Sequence, residues 1–96
     1  MTGKEIIEEL RRKKPILQEK FGVEELGVFG SVVHGDMDEE SDIDLLVSLK
    51  KVDYSLFAGL YLYLENIFHR KIDLIHRSQH ISEKFINKIK HDIVYV

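Results

Sequence analysis

A chain of 96 residues has room for one domain with a modest core, and residues 1–96 are read as a single unit. Its 44% hydrophobic and 32% charged residues are ordinary for a folded globular domain, and a net charge of −3 with no long basic block argues against sequence-independent nucleic-acid binding, which rests on clustered Lys and Arg. No Cys is available for disulfides or thiolate chemistry, no apolar run approaches the ~20 residues of a membrane span, and no signal peptide is visible, so the cytoplasm is the expected location.

Thr2-Gly3-Lys4-Glu5 has capping-box spacing, and Ile6, Leu10, Leu17 and Phe21 recur roughly every turn. This pattern predicts a first helix over about residues 3–20. Pro15 falls inside it, removes a backbone donor and crowds the preceding turn, so a kink or break is expected near Arg12 to Lys14. The basic run Arg11-Arg12-Lys13-Lys14 is read as a solvated helix face.

Gly22 releases the chain toward a short apolar strand, Leu26-Gly27-Val28-Phe29, which ends in Gly30. Ser31 stands where a helix N-cap would stand, before a brief turn through Val32-Val33-His34, and Gly35 allows a sharp exit into the acidic loop Asp36-Met37-Asp38-Glu39-Glu40. Ile43-Asp44-Leu45-Leu46-Val47 reads as a buried strand. Asp53 can cap a second long helix from Tyr54 to about Phe68, with Leu56, Leu60, Leu64 and Ile67 in one stripe and Phe57 and Tyr61 widening it. So much of this helix is apolar that Tyr54, Tyr61, Leu62 and Tyr63 are expected either to cover the sheet or to meet another chain.

A third strand is predicted at Lys71-Ile72-Asp73-Leu74-Ile75, and Ser82 starts a last helix with Phe85, Ile86 and Ile89 facing inward. Ile93-Val94-Tyr95-Val96 is expected to add a short edge strand. The five histidines are scattered singly, without the paired spacing of a zinc site, and His69, His76, His80 and His91 are read as surface or cap residues. The fold class that follows is α/β: a small mixed sheet with helices on one face and a bare face carrying the aspartates.

Gly30-Ser31 followed, after ten residues, by Asp42-Ile43-Asp44 is the stretch that carries chemistry. Free backbone N–H groups at a helix start favour an anion, and glycine allows a phosphate close to the backbone. Asp42 and Asp44 sit two apart at the start of a strand and so share a face. Two such charges ~4 Å apart repel by roughly 4 kcal/mol at an effective dielectric near 20, and a divalent cation removes that cost. Hard carboxylate oxygens suit Mg²⁺ or Mn²⁺. If the third strand pairs beside this one, Asp73 joins the cluster, which suits in-line attack on a nucleotide α-phosphate.

The ordered set of Gly30-Ser31, the ten-residue spacer, Asp42-x-Asp44 and Asp73, with the flanking strands and the closing Ile93-Val94-Tyr95-Val96, resembles the minimal nucleotidyltransferase domain of the polymerase-beta-like superfamily over nearly the whole chain. The resemblance implies that Gly30, Ser31, His34 and Gly35 bind the nucleotide, that Asp42, Asp44 and Asp73 hold two Mg²⁺ ions, and that Asp73 also helps deprotonate the incoming hydroxyl. It implies ATP as the substrate. One departure is His34, where the family usually carries an Arg; a neutral imidazole is a poorer phosphate partner than a guanidinium fork.

Stand-alone proteins of this size resemble the antitoxin half of HEPN/MNT toxin–antitoxin systems, in which AMP is transferred from ATP to a tyrosine of the HEPN ribonuclease. The expected function is therefore a protein adenylyltransferase antitoxin with a HEPN-type toxin as partner. Two other functions fit the same residues: an antitoxin that neutralises its partner by binding alone, and a nucleotidyltransferase acting on a small molecule or an RNA end.

Overall fold

The computed structural model describes residues 1–77 and 81–96. His80, read from sequence as a surface or cap residue, lies outside the described residues. The elements run α1 (Gly3–Phe21), β1 (Val23–Phe29), α2 (Ser31–His34), β2 (Ile43–Leu49), α3 (Tyr54–Phe68), β3 (Ile72–His76), α4 (Glu83–Ile89) and β4 (Val94–Tyr95). The strands form one mixed sheet in the order β3-β2-β1-β4. Strand β1 is antiparallel to β2 and β4, whereas β2 and β3 are parallel, as the crossover through α3 requires.

Alternation along the central strands divides the side chains between two faces. Val28 and Leu26 of β1, with Ile43, Leu45, Val47 and Leu49 of β2, enter the main core. There they meet Ile6, Leu10, Leu17 and Phe21 of α1 and Leu60, Leu64 and Phe68 of α3. The buried stripe of α3 is thus rotated from the one expected: Leu60 and Leu64 hold, Phe68 completes it, and Leu56 and Ile67 are only half-buried.

The opposite face carries Phe29 and Leu46, against which α4 packs Ile89, Phe85 and Ile86. Helices α1 and α3 cover one face as expected, but α4 lies against part of the other, so the aspartate-bearing face is bare only over the rest of its area.

Helix α1 starts with the anticipated capping box: Glu5 N–H donates to Thr2 Oγ1 at 3.1 Å and Thr2 N–H donates to Glu5 Oε1 at 2.9 Å. It ends on Gly22 in the left-handed conformation at φ 69°. The break expected at Pro15 does not occur, because the helix continues unbroken to Phe21. Leu10 and Leu17, on either side of the proline, are both fully buried on the same sheet, and that burial outweighs one missing hydrogen bond.

The basic run on α1 is largely engaged within the chain. Arg12 and Lys13 pair with Glu9, and Lys14 Nζ donates to the Val96 carbonyl at 2.7 Å. On α3, Tyr63 packs edge-on to Phe21 with ring centroids 5.5 Å apart, and Tyr61 donates to Glu65 at 2.8 Å, which raises the Tyr61 pKa. Both tyrosines serve the fold, whereas Tyr54 and Leu62 are exposed.

His69 is the left-handed C-cap of α3 and His91 is exposed, as expected of surface or cap positions. His76 is not at the surface in that sense. It is the last residue of β3, its ring meets Phe57 edge-on, and its Nε2 is buried without a hydrogen-bond partner.

Candidate active site

The site is assembled by strand register. Phe29 at the end of β1 is opposite Asp44 on β2, and Asp44 is opposite Asp73 on β3. The β2–β3 pairing on which the sequence reading made Asp73 depend is present and parallel, and it sets two carboxylates side by side on the face that does not enter the main core, with Asp42 just before β2 on the same side.

Gly30 follows immediately at φ 76° and ψ −145°, a backbone region that only glycine occupies without strain. A Cβ there would overlap the Asp44 carboxylate. Gly30, not Ser31, is the N-cap of α2; Ser31 is the first helical residue, with no side-chain cap bond at this terminus. The sequence placed the cap one residue late because Ser is the usual capping residue, whereas the positive φ and the proximity of Asp44 both require Gly.

The electrostatics of the cluster are those of crowded negative charge. Partial burial raises the Asp44 carboxyl to about 6, with further upward pushes from the Asp73 charge, a hydrogen bond to Asp73 that favours the protonated form, and the Asp42 charge. Asp42 is aimed toward Lys71, whose Nζ is 3.9 Å from its Oδ2. Among the described residues no three His, Asp or Glu side chains stand together in a metal-holding geometry. The donor chemistry nevertheless suits a hard divalent cation: the Asp44 and Asp73 carboxylates stand side by side with the Asp42 charge acting on Asp44, and their mutual repulsion is what such an ion cancels.

Several residues that shape the site carried no local sequence signal. Arg70, on the connection into β3, donates from Nη1 to the carbonyls of Asp38 at 2.8 Å and Ser41 at 3.0 Å, and so ties down the acidic loop directly before Asp42. Within that loop the Asp38 carboxylate accepts from the Glu40 N–H and the Ser41 hydroxyl, which holds its pKa below the usual range.

His34 lies on the far side of Gly30, its Nε2 3.3 Å from Asp92 Oδ2, and so links α2 to the segment after α4. These long-range contacts depend on which elements end beside one another, and no periodicity announces that. Gly35 ends α2 in the left-handed conformation at φ 78° and turns the chain into the acidic loop.

Comparison with known proteins gives the family and the fold. A family model described as Polymerase beta, Nucleotidyltransferase matches residues 11–95. The protein adenylyltransferase MntA of Thermococcus cleftensis is 37% identical over 97 residues, an overlap covering 100% of this chain and 97% of that relative. A Methanocaldococcus jannaschii protein named as a candidate protein adenylyltransferase is 39% identical over 99 residues, covering 99% of this chain and 98% of its own length.

Among solved structures, one described as a minimal nucleotidyltransferase superposes with a TM-score of 0.79 at 25% identity, covering 98% of this chain and 95% of that one. A chain in a toxin–antitoxin structure with AMP-PNP shares the fold at a TM-score of 0.70 and 20% identity, covering 88% of this chain and 69% of that one.

Proposed function

This chain belongs to the polymerase beta nucleotidyltransferase family, and from that premise we propose that it is a Mg²⁺-dependent protein adenylyltransferase, transferring AMP from ATP to a tyrosine of a HEPN-type ribonuclease toxin and acting as that toxin's antitoxin in the cytoplasm. The observation that carries the chemistry is the register that sets Asp44 beside Asp73, with Asp42 adjacent and Gly30 against the Asp44 carboxylate. The names of relatives that match this chain end to end support protein as the acceptor class. The toxin partner and the tyrosine extend that reading.

In the transfer, the acceptor oxygen attacks the α-phosphorus, an O–P bond forms, the bond to the β-phosphate oxygen breaks, and diphosphate leaves. Asp73 is exposed at the cluster's edge and accepts the hydroxyl proton. Gly30 and Ser31 bound the triphosphate on the β1 side, Gly35 shapes the turn behind it, and His34 lies beside it. When two Mg²⁺ ions, or Mn²⁺ in their place, are held by Asp42, Asp44 and Asp73, they supply charge neutralisation at the triphosphate and lower the pKa of the incoming hydroxyl.

Asp44 and Asp42 orient that acidic pocket, and the Arg70 contacts to Asp38 and Ser41 fix the loop that delivers Asp42. Residues 1–96 act as one catalytic domain in this reading.

The test is incubation of the chain with Mg²⁺, α-labelled ATP and a HEPN-type partner, comparing wild type with the double variant Asp42→Asn, Asp44→Asn by intact mass. One adenylyl group gained on the partner, and lost with the double variant, is the expected result. Complex formation and neutralisation without transfer, unaffected by the double substitution, would replace catalysis with neutralisation by binding. Turnover on a small molecule or an RNA end in the absence of partner would remove protein as the acceptor.

A further inference from the structure

A cavity of about 270 Å³ opens directly beside the carboxylate cluster. Phe29, Gly30 and Asp44 form its sheet side, and Phe85, Lys88 and Asp92 form the side contributed by α4 and the segment after it. This wall is held in place by packing: Ile89 is buried against Phe29 and Leu46, the Phe85 ring meets Phe29 edge-on at 6.0 Å, and Asp92 is tied to His34.

A nucleoside triphosphate entering this cavity brings several negative charges toward a wall that carries Asp44, itself paired beside Asp73. The turn from Gly30 to Gly35 contains no Lys or Arg, and its His34 is engaged with Asp92. Lys71 faces Asp42, and Arg70 is committed to backbone carbonyls. Lys88 is the single Lys or Arg lining the cavity, and among the described residues no carboxylate lies within 4.0 Å of its ammonium.

We propose that Lys88 binds the diphosphate end of the nucleotide and gives this site its preference for a triphosphate over a monophosphate. The inference rests on the nucleotidyl-transfer reading and assigns a phosphate-recognition role to α4. A flexible ammonium is suited to this task, since it reaches a phosphate as a point charge without the fixed geometry of a guanidinium. It also accounts for how the site manages with His34 in its turn: the positive charge is delivered from a different element, across the cavity.

The experiment is competition of ATP and of AMP against a fluorescent ATP analogue in Mg²⁺, with wild type, Lys88→Met and Lys88→Arg, alongside transfer assays at varied ATP. Lys88→Met is expected to weaken ATP about tenfold while leaving AMP within about twofold, as loss of one charge-assisted contact at an exposed position implies. Lys88→Arg is expected to keep most of the ATP affinity, and the transfer assay to show a raised KM for ATP with kcat little changed.

Lys88→Met binding ATP as wild type does, or losing ATP and AMP in equal measure, overturns the assignment. If wild type transfers AMP in either of those cases, the functional reading stands without Lys88. A wild type that binds no ATP removes both.

Discussion

Replacing Asp44 with Asn is expected to stabilise the metal-free protein while abolishing transfer. The folded state holds the Asp44 carboxyl at about 6 against an ordinary value of 3.8, so folding is linked to proton uptake there. For a carboxyl raised in this way the contribution to stability is fully present below the unfolded value and is lost as pH rises through the folded one. Roughly two units correspond to about 3 kcal/mol undiscounted. Because Asp44 is only partly buried, solvent screening reduces this to about 1–1.5 kcal/mol above pH 7.

Asn carries no charge, fits the same space, and can donate to Asp73. Urea unfolding in EDTA at pH 5 and pH 7.5 reads the effect. At pH 7.5 the variant should exceed wild type by about 1–1.5 kcal/mol, equivalent to several degrees in Tm for a domain of this size. The difference should shrink toward pH 4. Glu5 and Asp38, whose pKa values are lowered by their hydrogen bonds, act with the opposite sign in both proteins and cancel in the comparison. Millimolar Mg²⁺ should stabilise wild type and do much less for the variant. A variant equal to or weaker than wild type at pH 7.5, with wild-type stability insensitive to Mg²⁺, would refute the charge-crowding account.

Gly30→Ala is expected to lower stability by about 1–3 kcal/mol and to remove activity, because the new methyl overlaps the Asp44 carboxylate and the backbone there is strained for any other residue; thermal unfolding and the transfer assay report the two effects. Leu64→Ala, at a fully buried position between α3 and the sheet, should cost about 2–5 kcal/mol by urea denaturation with the site's nucleotide affinity preserved in the folded fraction. Pro15→Ala should raise stability by roughly 1–2 kcal/mol, since the position is exposed and an alanine N–H completes the helical ladder of α1; an unchanged or lowered midpoint would mean that the helix bends there to fit the sheet.

What was legible in the sequence was what repeats locally. Thr2 and Glu5 announced the start of α1, Asp53 the start of α3, and the spacing of Ile6, Leu10 and Leu17 the face that α1 buries. Alternation put Asp44 on the opposite face from Leu45, and pairing with the strand carrying Asp73 brought a second carboxylate alongside. Features decided by tertiary placement were not legible. Pro15 is tolerated because Leu10 and Leu17 are held from both sides, and propensity alone cannot weigh that burial. Phe68 replaced Ile67 in the buried stripe because α3 is rotated by its fit to Phe21 and the sheet. Arg70 and Asp92 act on residues far away in sequence through one or two polar atoms, a kind of contact that leaves no period to detect.

The parallel alignment of β2 with β3 also governs when the carboxylate cluster comes into being during folding. Asp44 and Asp73 are joined across a crossover that contains the whole of α3, so their pairing closes a longer loop than the antiparallel β1–β2 pair does and is expected to be the slower step. Their like charges oppose that late step, so divalent cations present during refolding should speed it. A nascent chain released before β3 docks would carry most of its core, with Gly30, Asp42 and Asp44 in place but Asp73 missing from beside them.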